Sequence, residues 1–112
     1  MAKVSNKPEP LPDVEVLLNL NKLIHEPARL AIMTILSSAD EVEFKFIENL
    51  TGLSKGNLSS HSAKLEAAGY VEVLKSFRGR RPVTHFRITE EGRVVLETYH
   101  RQLKTLFGGD EV

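Results

Sequence analysis

The sequence predicts a mainly α-helical domain with one small β-hairpin, in the order helix, helix, helix-turn-helix, hairpin, long helix. Three observations predict it. In "SSADEVEFKFIENLTGLSKGNLSSHSAKLEAAG" two short apolar patterns at helical spacing are separated by a tight turn containing Gly52. Next, "YVEVLKSF" and "VTHFRIT", rich in β-branched and aromatic residues, flank the basic tip "RGRRP". The chain then closes on "EEGRVVLETYHRQLKTLF", one long helical pattern opened by Thr89.

Each element follows from local chemistry. Residues 1–12 hold Pro8, Pro10 and Pro12 and few large apolar groups, so a flexible N-terminal arm is expected there. Asp13 suits an N-cap, and Val14, Leu17, Leu18, Leu20 and Ile24 follow on one helical face. Pro27 fits the first turn of a second helix, whose Leu30, Ile32, Met33, Ile35 and Leu36 make it apolar over most of its circumference and mark it as the centre of the core. In the helix-turn-helix, Phe46 or Ile47, Leu50, Leu53, Leu58 and Leu65 form one apolar set. Gly52 ends the first of its helices, Ser54 caps the second and Gly69 terminates it. The final helix is expected to stop at Gly108, giving a domain over 13–107 and a tail over 108–112.

Composition limits the function. A chain of 112 residues is one domain, too small for a deep cleft between domains. With no cysteine there is no disulfide, thiolate metal site or cysteine nucleophile. His25, His61, His85 and His100 are not paired at metal-binding spacing, so no metal or other cofactor is expected. No Gly-rich phosphate loop, nucleophile–base pair or paired carboxylates stand out, which argues against an enzyme. The N-terminus lacks a signal-peptide core and no apolar run reaches the roughly 20 residues of a membrane span, so a cytoplasmic protein with no membrane partner is expected.

Net charge is zero, yet its distribution is uneven. Residues 1–53 carry five Lys/Arg and eight Asp/Glu, residues 54–88 seven and two, and residues 89–112 three and five. A segment of net +5 thus lies between segments of −3 and −2, which points to a polyanion-facing surface in the middle of the chain. That segment contains the second helix of the helix-turn-helix. At about 100° per residue, Leu58, Ser62 and Leu65 share its inner face, while Gly56, Ser60 and Ala67 point away, edged by Asn57, Ser59, Ala63 and Lys64. Small residues at the centre of an outward face let a backbone approach base edges in the major groove of duplex DNA. Lys55, Asn57, Ser60 and Lys64 are therefore candidates for base or phosphate contacts, and Ser54 and Ser59 for phosphates. Asn57 suits adenine, and Lys64 suits guanine or phosphate. His61, on the shoulder between the two faces, joins the set as a packing or phosphate-contacting residue. Arg78, Arg80 and Arg81 at the hairpin tip are suited to phosphates and a narrow minor groove, and Lys75, His85 and Arg87 extend the basic hairpin over 75–87.

The order of elements is that of a winged helix, and the residues carry a resemblance. "PARLAIMTIL", "TGLSKGNLSSHSAKLEAAGYVEV" and "GRRPVTHFRITEEGR" resemble, over about residues 20–100, winged-helix transcriptional regulators of the broad MarR/ArsR kind, and most closely their small single-domain group. The resemblance implies a homodimer that binds duplex DNA and regulates transcription. Where such families place a core leucine, this chain has Ser62.

The long last helix exceeds what so small a domain can cover. Leu96, Tyr99, Leu103 and Leu106, with Leu17 and Leu18 of the first helix, are expected to pair with a second copy, presenting two recognition helices about one DNA turn apart to a palindromic site. Winged helices also serve as protein docking modules without specific DNA binding. A docking hairpin would carry apolar or mixed residues more often than "RGRR". Nothing indicates a small-molecule effector, and one would have to bind the dimer interface or the DNA-binding domain itself.

Overall fold

The computed structural model describes residues 12–107. It comprises α1 (Pro12–Leu18), α2 (Pro27–Ser37), β1 (Val42–Glu43), α3 (Phe44–Thr51), α4 (Lys55–Ala67), β2 (Val71–Arg78), β3 (Arg81–Ile88) and α5 (Glu90–Leu106). The strands form an antiparallel sheet in the order β1-β3-β2, so the hairpin gains a third, two-residue strand that pairs Val42 with Phe86 and Glu43 with His85. The arm expected over 1–12 lies outside the described residues as far as Leu11, as do Gly108 and the tail over 108–112. Among the described residues, no helix is long and apolar enough to cross a membrane.

α2 is the central helix, as its all-round apolarity predicts. Ile32, Met33 and Leu36 are buried, and around them pack Ile24, Ile47, Leu58, Leu65, Val71, Phe86, Ile88, Leu96 and Tyr99. Its first turn is built as the sequence requires: Pro27 follows the N-cap Glu26, whose carboxylate accepts the Arg29 N–H at 2.7 Å. Its last turn is tied to α5 by the Arg93 guanidinium, which donates to the Ser37 carbonyl at 3.1 Å.

Two expectations need correction. α1 begins at Pro12, so Asp13 lies inside it, and it ends at Leu18; Leu20 and Ile24 reach the core from the turn that follows, not from the helix. Asn21 shapes that turn by accepting the Leu23 and Ile24 N–H groups on its side-chain oxygen, and it donates to the Tyr70 hydroxyl. In α3 only Ile47 is buried, whereas Phe46 and Leu50 stand exposed. An eight-residue helix laid on one side of α2 has a single inward line, and Phe44, half-buried against Phe86 with ring centroids 5.8 Å apart, fills the space beside it.

Ser62 faces inward, as its spacing demands, and its hydroxyl is buried without a hydrogen-bond partner among the described residues. An unmade bond of this kind costs about 1–3 kcal/mol. Replacement by alanine removes the unsatisfied group and improves helix propensity, so S62A is expected to unfold about 5 °C higher, or more, in a thermal melt followed by circular dichroism. An unchanged or lower midpoint would show that the hydroxyl is satisfied in solution.

Candidate nucleic-acid interface

The turn and α4 form from strong local signals. Gly52 adopts φ +76° and its N–H donates to the Glu48 carbonyl, closing α3. Two residues later the Ser54 hydroxyl accepts the Asn57 N–H at 3.1 Å and opens α4. Leu58, Ser62 and Leu65 are buried against the core. Gly56, Asn57, Ser59, Ser60, Ala63, Lys64 and Ala67 are all exposed, and a Cβ built on Gly56 would meet nothing within 4 Å. The outer face of α4 is thus open, small at its centre, where Ser60 stands, and edged by one amide, one hydroxyl and one ammonium.

His61 is held from behind. The Arg29 guanidinium, which has donors only, donates from Nη1 to His61 Nδ1 at 3.1 Å, and also from Nε to the Leu23 carbonyl at 2.6 Å. Glu26 Oε1 lies 3.9 Å from the same imidazole nitrogen. The Arg29 N–H holds the Glu26 carboxyl below the ordinary carboxylate value, partial burial opposes this, and the charge of the Arg29 guanidinium adds to it. The imidazole therefore braces α4 against α2, the packing half of its expected role. Neither Arg29 nor this brace was visible in the sequence, because the partners are 32 residues apart.

The hairpin projects beside α4. Gly79, at φ +65°, takes the first of two loop positions between the paired Arg78 and Arg81, as a tight hairpin turn requires. Pairing fixes the two faces: Val71, Val73, Lys75 and Phe77 oppose Ile88, Phe86, Thr84 and Pro82 on the face toward α4, while Glu72, Leu74, Ser76 and Arg78 oppose Arg87, His85, Val83 and Arg81 on the other. A shallow groove between α4 and this sheet is lined by Ser59, Ala63, Val73, Lys75 and Thr84. A second groove, along the free edge of β3 where β1 has ended, brings Lys45, Lys55, Arg78 and Arg81 together with Glu43 and Glu48.

The candidate residues differ in how freely they are held. Lys55 is exposed, with Nζ 3.4 Å from Glu48, and Arg78 lies 3.3 Å from Glu43, both loose surface pairs that a phosphate can displace. Arg80 and Arg81 are exposed at the tip. Arg87 is held by Glu72 at 2.9 Å and Glu41 at 3.5 Å, and like the half-buried His85 it faces away from α4. Lys75 alone of the three lower hairpin residues joins the α4 side. Lys45 is an addition from the structure, since nothing in the sequence of α3 separates it from an ordinary solvated lysine. Among the described residues, no group of three or more His, Cys, Asp or Glu side chains could hold a metal ion.

The expected pairing surface is divided. Leu17 and Leu18 are exposed on α1, and Leu103 and Leu106 are half-buried on α5. Leu96 and Tyr99, by contrast, are 4% and 3% exposed, which corrects their assignment to an intermolecular face. They belong to the chain's own core, where the Tyr99 hydroxyl also meets His25 Nδ1 at 2.7 Å. The periodicity that placed all four α5 residues on one stripe could not show that its N-terminal half is already covered by α2.

A helix-turn-helix with an open second helix beside an arginine-tipped hairpin defines a winged-helix DNA-binding domain of the transcriptional-regulator kind. Residues 28–107 match the winged helix DNA-binding domain family, and the chain belongs to it. It is 35% identical over 78 residues to an uncharacterized protein of Methanocaldococcus jannaschii, across 70% of this chain and 85% of the relative. Among solved structures it is similar to a transcriptional regulator homologue protein from Pyrococcus horikoshii OT3, with TM-score 0.79 and 27% identity over 91% of this chain and 100% of that one. A MarR-family transcriptional regulator from Silicibacter pomeroyi shares the fold at TM-score 0.62 and 18% identity, over 85% of this chain and 63% of that one.

Proposed function

We propose that the protein is a homodimeric, sequence-specific duplex-DNA-binding regulator of transcription without catalytic activity. The observation that carries this reading is the outer face of α4, open and stripped of bulk around Gly56, next to a hairpin that carries Lys75 on the facing side and Arg78, Arg80 and Arg81 at its tip. α4 enters the major groove, with Asn57, Ser60 and Lys64 toward base edges and Ser54, Lys55 and Ser59 toward phosphates. The hairpin over 75–87 lies on the backbone or in the adjoining minor groove through Arg78, Arg80 and Arg81. α1 packs on α5, and the exposed Val14, Leu17, Leu18 and Val94, with the half-buried Leu103 and Leu106, supply the apolar surface for a second copy.

Selection of bound duplexes from a random pool, with sedimentation of the protein alone, tests both parts. Palindromic sites and a dimer in solution are the expected results. Short asymmetric sites or a monomer would overturn the two-fold arrangement, and no duplex enrichment would overturn sequence-specific binding.

A further inference from the structure

One feature of the hairpin is left over by phosphate binding. Phe77 is 73% exposed, among the most exposed large apolar residues described, and it sits one residue from the hairpin tip, beside the exposed Arg78, Arg80 and Arg81. Its direct cross-strand partner is Pro82, also exposed. Pro82 stands where β3 has no second neighbour, since β1 pairs only with His85 and Phe86, so the missing N–H leaves no gap in the ladder. Strand alternation puts Phe77 and Pro82 on the face turned toward α4, and puts Arg78 and Arg81 on the reverse. The tip is therefore two-sided, with an apolar ring and a proline on one side and guanidinium groups on the other and in the loop. An exposed aromatic has no use for phosphates, and these arginines select a polyanion as the molecule that covers it. Phenylalanine and proline are among the side chains that enter a minor groove and part a base step, while cations beside them hold the two backbones.

We propose that Phe77, supported by Pro82, is an apolar wedge that enters the minor groove of duplex DNA beside the α4 site and kinks it there, a reading that rests on the DNA-binding function above. The kink belongs at a flexible pyrimidine–purine step, so the wedge adds sequence preference at positions that α4 does not touch.

The test uses the full chain with F77A and F77L variants and a synthetic duplex carrying central TA steps, end-labelled for energy transfer, together with its single strand. The parent is expected to shorten the end-to-end distance of the duplex and F77L to retain most of that change. F77A is expected to abolish it and to bind roughly tenfold more weakly, the scale of one lost apolar contact, with its salt dependence unchanged because no phosphate contact is removed. Melting curves of the variants check that this exposed position leaves the fold intact. Binding by the parent without bending, F77A that bends and binds like the parent, or preference for the single strand would each overturn the wedge while leaving duplex binding as a separate result. Failure of the parent to bind the duplex at all would overturn the DNA-binding reading, and the wedge with it.

Discussion

Replacing Gly92 with alanine is expected to lower the melting temperature by roughly 10 °C, although alanine is the better helix former. A Cβ at this position would overlap the Tyr70 carbonyl oxygen and lie 2.9 Å from Ile88 Cγ1 and 3.1 Å from the Tyr70 carbonyl carbon. Most of these atoms are backbone and give little. The same carbonyl accepts the Thr89 N–H at 3.0 Å, so pushing it aside also loosens the start of α5. The gain from helix propensity is about 1 kcal/mol, and overpacking against a rigid neighbour costs about 1–3 kcal/mol or more. With the strained hydrogen bond added, destabilisation wins by about 2 kcal/mol. Gly56→Ala is the control: its Cβ meets open space, so stability holds or rises slightly, while DNA binding weakens because the methyl stands on the face meant for close approach. Thermal unfolding and duplex binding of both variants check the pair. Equal melting points, or G56A binding like the parent, would contradict the two packing arguments.

Changing Arg78, Arg80 and Arg81 together to alanine is expected to weaken duplex binding by roughly 100-fold near physiological salt and to reduce the slope of log affinity against log salt by about 2–3. Each phosphate neutralised releases about 0.9 of a counterion. Arg80 and Arg81 are exposed without an acidic partner among the described contacts, whereas Arg78 must first leave Glu43 at 3.3 Å, so it contributes the least of the three. Arg87→Ala should scarcely change the slope, since this side chain is held by Glu72 and Glu41 on the face away from α4. Titrations by fluorescence anisotropy across a salt series measure all of these, and a slope unaffected by the triple change would remove the hairpin from the interface.

The fold was legible wherever its cause was local. Gly52, Ser54, Gly79 and Thr89 act within a few residues of themselves, and each stands in the structure at the turn or cap its chemistry dictates. The outer face of α4 could be laid out residue by residue from a 3.6-residue period, because Leu58 and Leu65 fix which side is inside. What could not be read depended on distant partners. A two-residue strand at Val42 has no period of its own and exists because β3 offers it an edge. Phe46 and Leu50 have the spacing of core residues, and only the placement of α3 on α2 shows that they miss it. Tyr99 fits a pairing stripe equally well until α2 and His25 are seen against it. In the candidate interface the basic residues could be named in advance, but their grading could not, because Glu43, Glu48 and Glu72 reach Arg78, Lys55 and Arg87 only after folding.

Thr89 caps α5 and also joins that helix to α4. Its hydroxyl donates to the Gly69 carbonyl at the end of α4 at 2.6 Å and accepts the Gly92 N–H at the start of α5 at 2.9 Å. The end of one helix and the beginning of the other are thus fastened to a single oxygen atom, without slack between them. In the two-fold assembly proposed above, joined through α5, this joint would link the dimer contact to the position of α4.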